Sequence, residues 1–395
     1  MATHPQFVPD FRVRINDNDL PAALRASVTS LSYQDGVNEA DRVEVELANT
    51  NLRWLQNHIR GLGFRPFPSG VKVGPIPALN AAPEGIFDLD NKLTLAIGYA
   101  PEPLEEVFEG DVTGIEVKFP NGGMPTMTLV AHDYLHRLGE GQYARGFGPL
   151  PDVLIAAILS AENLLLPAID PTVAAASTAI AAVNFIFSGT GRKQAEQSDL
   201  DFMEEIAATY DAEFWVEGDV LYFSRFFKDY TPSLTLKWGE SLLDFMPRVS
   251  TVGQVVGVAA KFTLREIPLD FLVTAGWDFN REALVLTVVP GAGGTVAAKT
   301  LAGPLLTTIT DPLASPADIV NSALVLAHEL RQILNNRLTG SGTAIGDPRI
   351  RAGAIIRLEG LGQDFSGDYR IVSADQIFGP DGFRTKFSVR KEIIP

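Results

Sequence analysis

The stretch Gly340 to Arg390 limits most sharply what this chain can become. It carries three strand-like runs separated by glycine-rich turns. In the last run, Phe383, Thr385, Phe387 and Val389 alternate with Arg384, Lys386, Ser388 and Arg390. Successive side chains of a strand leave opposite faces, so this period belongs to an antiparallel strand with one face buried and one in water. Gly379-Pro380-Asp381-Gly382 supplies the turn before it. The other two runs are Ala354 to Leu358, closed by Gly360 and Gly362, and Tyr369 to Ala374, which follows Ser366-Gly367-Asp368. The chain therefore ends in an antiparallel β module.

A second β module is expected at the start. Pro9 to Asp17, Val28 to Tyr33, Arg42 to Leu47, Lys92 to Tyr99, Glu105 to Val117 and Met124 to Ala131 read as strands, with Asn121-Gly122-Gly123 as a hairpin turn. Leu52, Leu55 and Ile59 suggest a short helix over Asn51 to Arg60. Gly61 to Asn91 is rich in Pro and Gly and has no period, which suits a functional or interface loop as well as a plain surface excursion. The pattern turns helical after Gly146-Phe147-Gly148-Pro149. Asp152 to Glu162 has helical spacing. Ser198 with Asp201 forms an acidic capping box ahead of Phe202, Ile206 and Tyr210. A hairpin follows, Glu213 to Val216 and Val220 to Phe223 around Gly218-Asp219. Strands resume at Leu234-Thr235-Leu236 and over Val249 to Phe262. Arg265 to Ile309 has no clear period, and Ser315-Pro316-Ala317-Asp318 starts a helix that ends at Asn335-Asn336. The expected fold is α+β, mainly β, with two antiparallel β modules flanking a smaller helical α+β middle. The boundaries fall at 1–145, 146–232 and 233–395, with insertions at about 52–91 and 265–335, in keeping with two or three domains for 395 residues.

Composition narrows function. The formal charge of −16 argues against nucleic acid, whose phosphates need a basic footprint. From Gly340 onward 8 Lys+Arg meet 7 Asp+Glu, while the first 339 residues hold 24 against 41. The acidity therefore belongs to the earlier part. With no cysteine there are no disulfides, thiol nucleophiles or thiolate metal sites, which fits synthesis in a reducing cytoplasm. MATHPQFVPDF lacks the pattern of a signal peptide. Pro171 to Gly191 is long enough to cross a bilayer but is mostly Ala, Thr and Ser, so a buried helix or ordered linker is expected there and no stable membrane span.

The candidates for chemistry are weak. His132 and His136 have the spacing of a helical metal pair but lack a third ligand; the plainer reading is a strand end turning into a helix with Asp133 as cap. His328 suits a solvated helix face. Ser188 to Lys193 lacks the ending of a phosphate loop, and Gly291 to Val296 fails the dinucleotide pattern. No catalytic, cofactor or metal residues are assigned, and no cofactor is expected.

The order of several motifs resembles the phage late-control D family, the baseplate hub proteins of contractile tails, and the N-terminal hub part of type VI secretion spike proteins. The residues that carry it are Phe108 to Gly114 with Leu129 to Asp133, Gln197 to Phe202, Leu221-Tyr222-Phe223, and Trp238 to Leu243. Near the end they are Gly346-Asp347-Pro348, Gly353, Gly360-Leu361-Gly362, Phe365 to Tyr369 and the last strand. Gln376 stands where relatives often have histidine. The resemblance implies two tail-tube-like β-barrels per subunit and a homotrimer whose six barrels join a sixfold tail tube to a threefold spike. It implies a structural protein and not an enzyme, located in a virion tail baseplate or a contractile injection particle. Its implied partners are itself, the tail tube protein, baseplate wedge proteins and, since no spike segment follows residue 395, a separate spike protein. Arg384, Lys386 and Arg390 are the expected spike-docking residues. The alternatives are a tail-associated enzyme degrading cell-wall glycan and a carbohydrate-binding β module.

Overall fold

The computed structural model describes residues 8–49, 86–187, 191–210, 212–225, 231–250, 331 and 334–392, and the backbone of five strands between 257 and 313. The expected helix over Asn51 to Arg60, most of the Gly61 to Asn91 loop, Ser188 to Thr190 and nearly all of the helix from Ser315 lie outside the described residues.

The first β module contains β1 (Val8–Ile15), β2 (Asn18–Asp19), β3 (Val28–Gly36), β4 (Arg42–Ala48), β5 (Lys92–Ala100), β6 (Glu105–Lys118) and β7 (Thr126–Asp133). They lie in the order β3-β4-β7-β6-β5-β1-β2, and every pair is antiparallel. Alternation decides their faces. On β4, Val43, Val45 and Leu47 are fully buried, while Arg42, Glu44 and Glu46 are part-exposed. The end of the Pro/Gly-rich segment belongs to this core: Phe87 is fully buried, and Asn91 donates to the Ile86 carbonyl and accepts from Asn16.

The middle part packs three helices, Asp152–Glu162, Pro171–Phe187 and Asp199–Tyr210, against short strands. These are β8 (Tyr143–Gly146), β9 (Leu166–Ile169), β10 (Lys193–Gln197), β11 (Ala212–Glu217) and β12 (Val220–Arg225). β8 pairs with β10, and β12 lies between β11 and a parallel β9. The capping box forms as expected: Ser198 Oγ accepts from the Asp201 N–H, and the Asp201 carboxylate accepts from the Ser198 N–H. Where a buried helix or an ordered linker was expected, the chain forms the helix Pro171–Phe187, and its described face is only partly buried. Val173 and Ser177 face the core, but Thr172, Ala175, Ala176 and Thr178 are exposed. Among the described residues no helix is long and apolar enough to cross a membrane.

The last part contains β13 (Leu234–Lys237), β14 (Leu242–Val249), β15 (Gly257–Leu264), β16 (Asp270–Asp278), β17 (Ala283–Pro290), β18 (Leu305–Thr308) and β19 (Pro312–Leu313). After these come β20 (Leu338–Ile345), β21 (Ile355–Glu359), β22 (Gly367–Gly379) and β23 (Gly382–Arg390). Six of them run β14-β20-β23-β22-β21-β13 around their own apolar cluster, which includes Leu236, Leu358, Tyr369 and Phe387. The valine-rich run Val249 to Phe262 is not one strand, because β14 ends at Val249 and β15 opens a separate five-stranded sheet at Gly257. That sheet also uses the aperiodic region from Arg265 to Ile309.

The fold is thus mainly antiparallel β, with two β modules flanking a helical α+β middle. The modules are joined. β22 is 13 residues long, pairs through its first half with β21 and through its second half with β3 of the first module, and so makes one 13-stranded sheet. A twisted sheet rarely exceeds ~10 strands without curling or splitting, and this one curls around two separate cores. Phe378 and Phe383, from the β22–β23 hairpin, stack at 4.0 Å and insert into the first module's core, where Phe11 meets Phe378 edge-on.

Candidate functional site

The widest functional candidate is the outer face of this sheet. With the inward positions taken by apolar side chains, the outward ones fall into rows that cross from one module to the other. One row reads Asp244, Thr343, Lys386, Asp375, Gln34, Arg42 and His132, with one residue from each of seven adjacent strands. The next reads Met246, Ser341, Ser388, Ser373 and Gly36. Together they line a groove of 610 Å³. Acids and bases alternate along the first row, which favours cross-strand attraction. The Asp375 carboxyl is raised by burial and pulled back by Lys386, with Glu44 adding to the rise.

This places the three expected docking cations. Arg384 and Lys386 stand exposed on the outer face, opposite the buried Phe383, Thr385, Phe387 and Val389. Arg390 is different: it is part-buried and donates to Glu392 at 2.6 Å. Gln376 is also assigned a place. It is buried beneath β22, donates to the carbonyls of Asp347 and Ile350, and accepts from Thr385.

Among the described residues three strands of the sheet have an open side: β14, which pairs along its length with β20, β13, which pairs with β21, and β1, which pairs along its length with β5 and over two residues with β2. β14 exposes Leu243, Met246 and Val249, and β1 exposes Val8. Each carries a proline, Pro247 and Pro9, a residue found on sheet edges because it cannot donate to a ladder.

Two ionic joints hold the three parts together, and sequence reasoning missed both. Arg370 on β22 is 4% exposed and forks onto Glu213 of β11, with the Nη1 to Oε1 bond at 2.7 Å, while Glu392 lies 3.6 Å away. Arg351 donates to Asp35 at 3.2 Å and to the Tyr33 hydroxyl at 2.7 Å, and that hydroxyl donates to Asp41 at 2.7 Å. No local period marks such pairs, because the partners come from different parts of the chain.

The histidines do not share a helix. His132 is on β7 and His136 on the short 3-10 helix Tyr134–Gly139, with ring centroids 6.2 Å apart. Asp133 caps that helix by accepting from the Leu135 N–H, as expected of a strand end turning into a helix. Burial lowers the His132 imidazole, and His136 and Arg42 lower it further. Among the described residues no group of three or more His, Asp or Glu side chains is arranged to hold a metal ion.

No protein-family model matches the chain, and no curated protein matches it in sequence. Solved structures do match. The 43 kDa tail protein of prophage MuSo2 from Shewanella oneidensis is similar at TM-score 0.58 and 10% identity, over 96% of this chain and 98% of that one. A tail protein from Neisseria meningitidis MC58 is similar at TM-score 0.56 and 11% identity, over 97% of both. The E. coli c3393 protein, a component of the type VI secretion system with structural similarity to the T4 tail proteins gp27 and gp5, is similar at TM-score 0.52 and 10% identity, over 97% of this chain and 80% of that one. The fold is therefore that of phage tail proteins, as the resemblance in the sequence implied.

Proposed function

We propose that the protein is a structural hub subunit of a contractile phage tail or of a phage-derived injection particle. In this reading three copies close a ring of six β modules that joins a sixfold tube to a threefold spike. The observation that carries the proposal is the sheet itself: two modules of similar strand number in one chain, joined through β3 and β22, each with an open-sided strand, β1 in the first and β14 in the second. A head-to-tail contact between unlike edges closes into a ring when its rotation permits, and closure covers β1 and β14, which a lone subunit leaves open.

The polar outer face then turns toward the ring axis. Hydroxyls and balanced charges suit a passage that must not hold what moves through it. The 1–145, 146–232 and 233–395 divisions serve as tube-like, peripheral and tube-like units. Tube, wedge and spike proteins are the partners, and Arg384 and Lys386 on the exposed outer face are the cations that seat the spike. Arg390 belongs to the same proposed surface but reaches it only if its bond to Glu392 opens.

Mass in solution and imaging of single particles test this. A trimeric ring that binds tube ends and does not clear cell walls is the expected result. A stable monomer with lytic activity on cell-wall glycan sinks it. Charge reversal, Arg384→Glu with Lys386→Glu, is expected to weaken binding of the spike at least tenfold without unfolding the subunit, since both side chains lie on the solvent face.

A further inference from the structure

The small sheet β11-β12-β9 buries one face and leaves the other uncovered. Phe214, Val216, Leu221 and Phe223 pack into the core of the middle part. At the alternate positions Trp215 of β11 lies opposite Tyr222 of β12, and their rings stack at 5.3 Å and 10°. Glu217 lies on the same face, opposite Val220, which in turn lies opposite Leu166 of β9. Trp215 is 38% exposed and Leu166 59%. A stacked indole with so much of its surface in water is the kind of group that anchors a protein contact.

Trp215 also walls a cavity of 340 Å³ where the three parts of the molecule meet. The turn between β3 and β4, strand β11 and residues 351–353 surround it, and six carboxylates line it against two guanidiniums. Most are already engaged. Asp35 and Asp41 have Arg351, Glu213 has Arg370, and Asp133 caps its helix. Glu39 and Glu217 are exposed, and among the described residues no guanidinium or ammonium pairs with either. Glu217 accepts from the Trp215 indole N–H at 3.1 Å, which ties the carboxylate to the ring.

The chain shows at three other places what such a set receives. Arg351 lies over the Tyr33 ring and pairs with Asp35, and Arg137 lies over Tyr134 and pairs with Asp111. Arg145 lies over Tyr143 and pairs with Asp199 and Glu162. Each time a guanidinium covers an aromatic face and bonds to a carboxylate beside it. At Trp215 the aromatic face and the carboxylates stand at the surface.

We propose that this face docks a protein partner through an arginine side chain, seated against Trp215 and paired with Glu217 and Glu39. Charge complementarity selects the occupant, because a cation offsets the excess of carboxylates along the cavity. Planarity selects arginine: a guanidinium stacks on an indole and forks onto a carboxylate at once, whereas an ammonium is a compact, strongly hydrated point charge. Leu166 adds apolar contact on the same face. The docking surface stands whether or not three copies close a ring.

Fluorescence anisotropy on the full chain tests this, with a labelled Gly-Arg-Gly-Arg-Gly peptide and its lysine counterpart as probes, in about 0.15 M salt, where long-range attraction to an acidic protein is screened. The arginine peptide is expected to bind roughly tenfold more tightly than the lysine peptide. Trp215→Ala and Glu217→Gln are each expected to weaken it roughly tenfold, and Trp215→Phe, which keeps a ring on Tyr222, by less. Glu39→Gln changes an exposed side chain and is expected to weaken binding with no change in the thermal melt. Glu116→Gln removes the same charge from the exposed face of β6 and is expected to leave binding unchanged. Equal binding of the two peptides overturns the proposal, as does a loss in Glu116→Gln matching that in Glu217→Gln. Absence of binding by the arginine peptide overturns it too.

Discussion

Arg370 shows how much rests on single side chains here. It joins β22 to β11 through Glu213 and approaches Glu392, which also takes Arg390. Removing one partner of a buried pair strands the other, at a cost of about 3–5 kcal/mol. Arg370→Met is expected to lose about that much in urea unfolding, and Arg370→Met with Glu213→Leu is expected to regain most of it, because the stranded charge goes too. Gln376 makes the same point with neutral groups. Gln376→Leu leaves the Asp347 and Ile350 carbonyls without their donor, so a loss of about 2–4 kcal/mol is expected by the same measurement. From sequence, Gln376 was only a departure from a pattern. Its burial against the connection between β20 and β21 is what makes it structural.

At the scale of elements, the clean alternations were legible and β20 was not. β23 keeps the phase read from its sequence, with Phe383, Thr385, Phe387 and Val389 buried. β20, Leu-Thr-Gly-Ser-Gly-Thr-Ala-Ile, was not expected as a strand, because Gly340 and Gly342 remove the side chains that would display a period. The reason lies across the sheet: a Cβ on Gly340 would sit 2.5 Å from the Phe245 ring. Gly340→Val is therefore expected to push β14 off β20 and to show as lost exchange protection in β14. Gly110 answers to the same constraint, since a Cβ there would meet the His132 carbonyl oxygen at 2.0 Å. The capping box at Ser198 was legible because its partners are three residues apart, and Ser198→Ala is expected to cost about 1 kcal/mol in a thermal melt.

At the scale of the molecule, the pairing of β22 with β3 decides whether the β modules behave as one body or two. Ser32 sits in mid-strand opposite Ile377, with its side chain on the outer face. Ser32→Pro removes a ladder donor without removing core volume, and a proline in mid-sheet is poorly tolerated. The expected outcome is that β-module unfolding, followed by probes in each half, no longer coincides. The ring itself is tested by mass and imaging, since closure belongs to several copies.

The amino-acid sequence by itself determined the class of fold, the two β modules around a helical middle, the caps and the hairpin turns. These depend on neighbours two to four residues apart, where side-chain period and turn chemistry act directly. It also carried, through the order of its motifs, the resemblance to tail hub proteins. Only the tertiary structure decided that the modules share one sheet, that a charged row crosses it, and that Arg351 meets Asp35 across 316 residues of chain. Register between distant strands fixes those contacts, and register depends on how the whole sheet curls around its cores rather than on any local stretch.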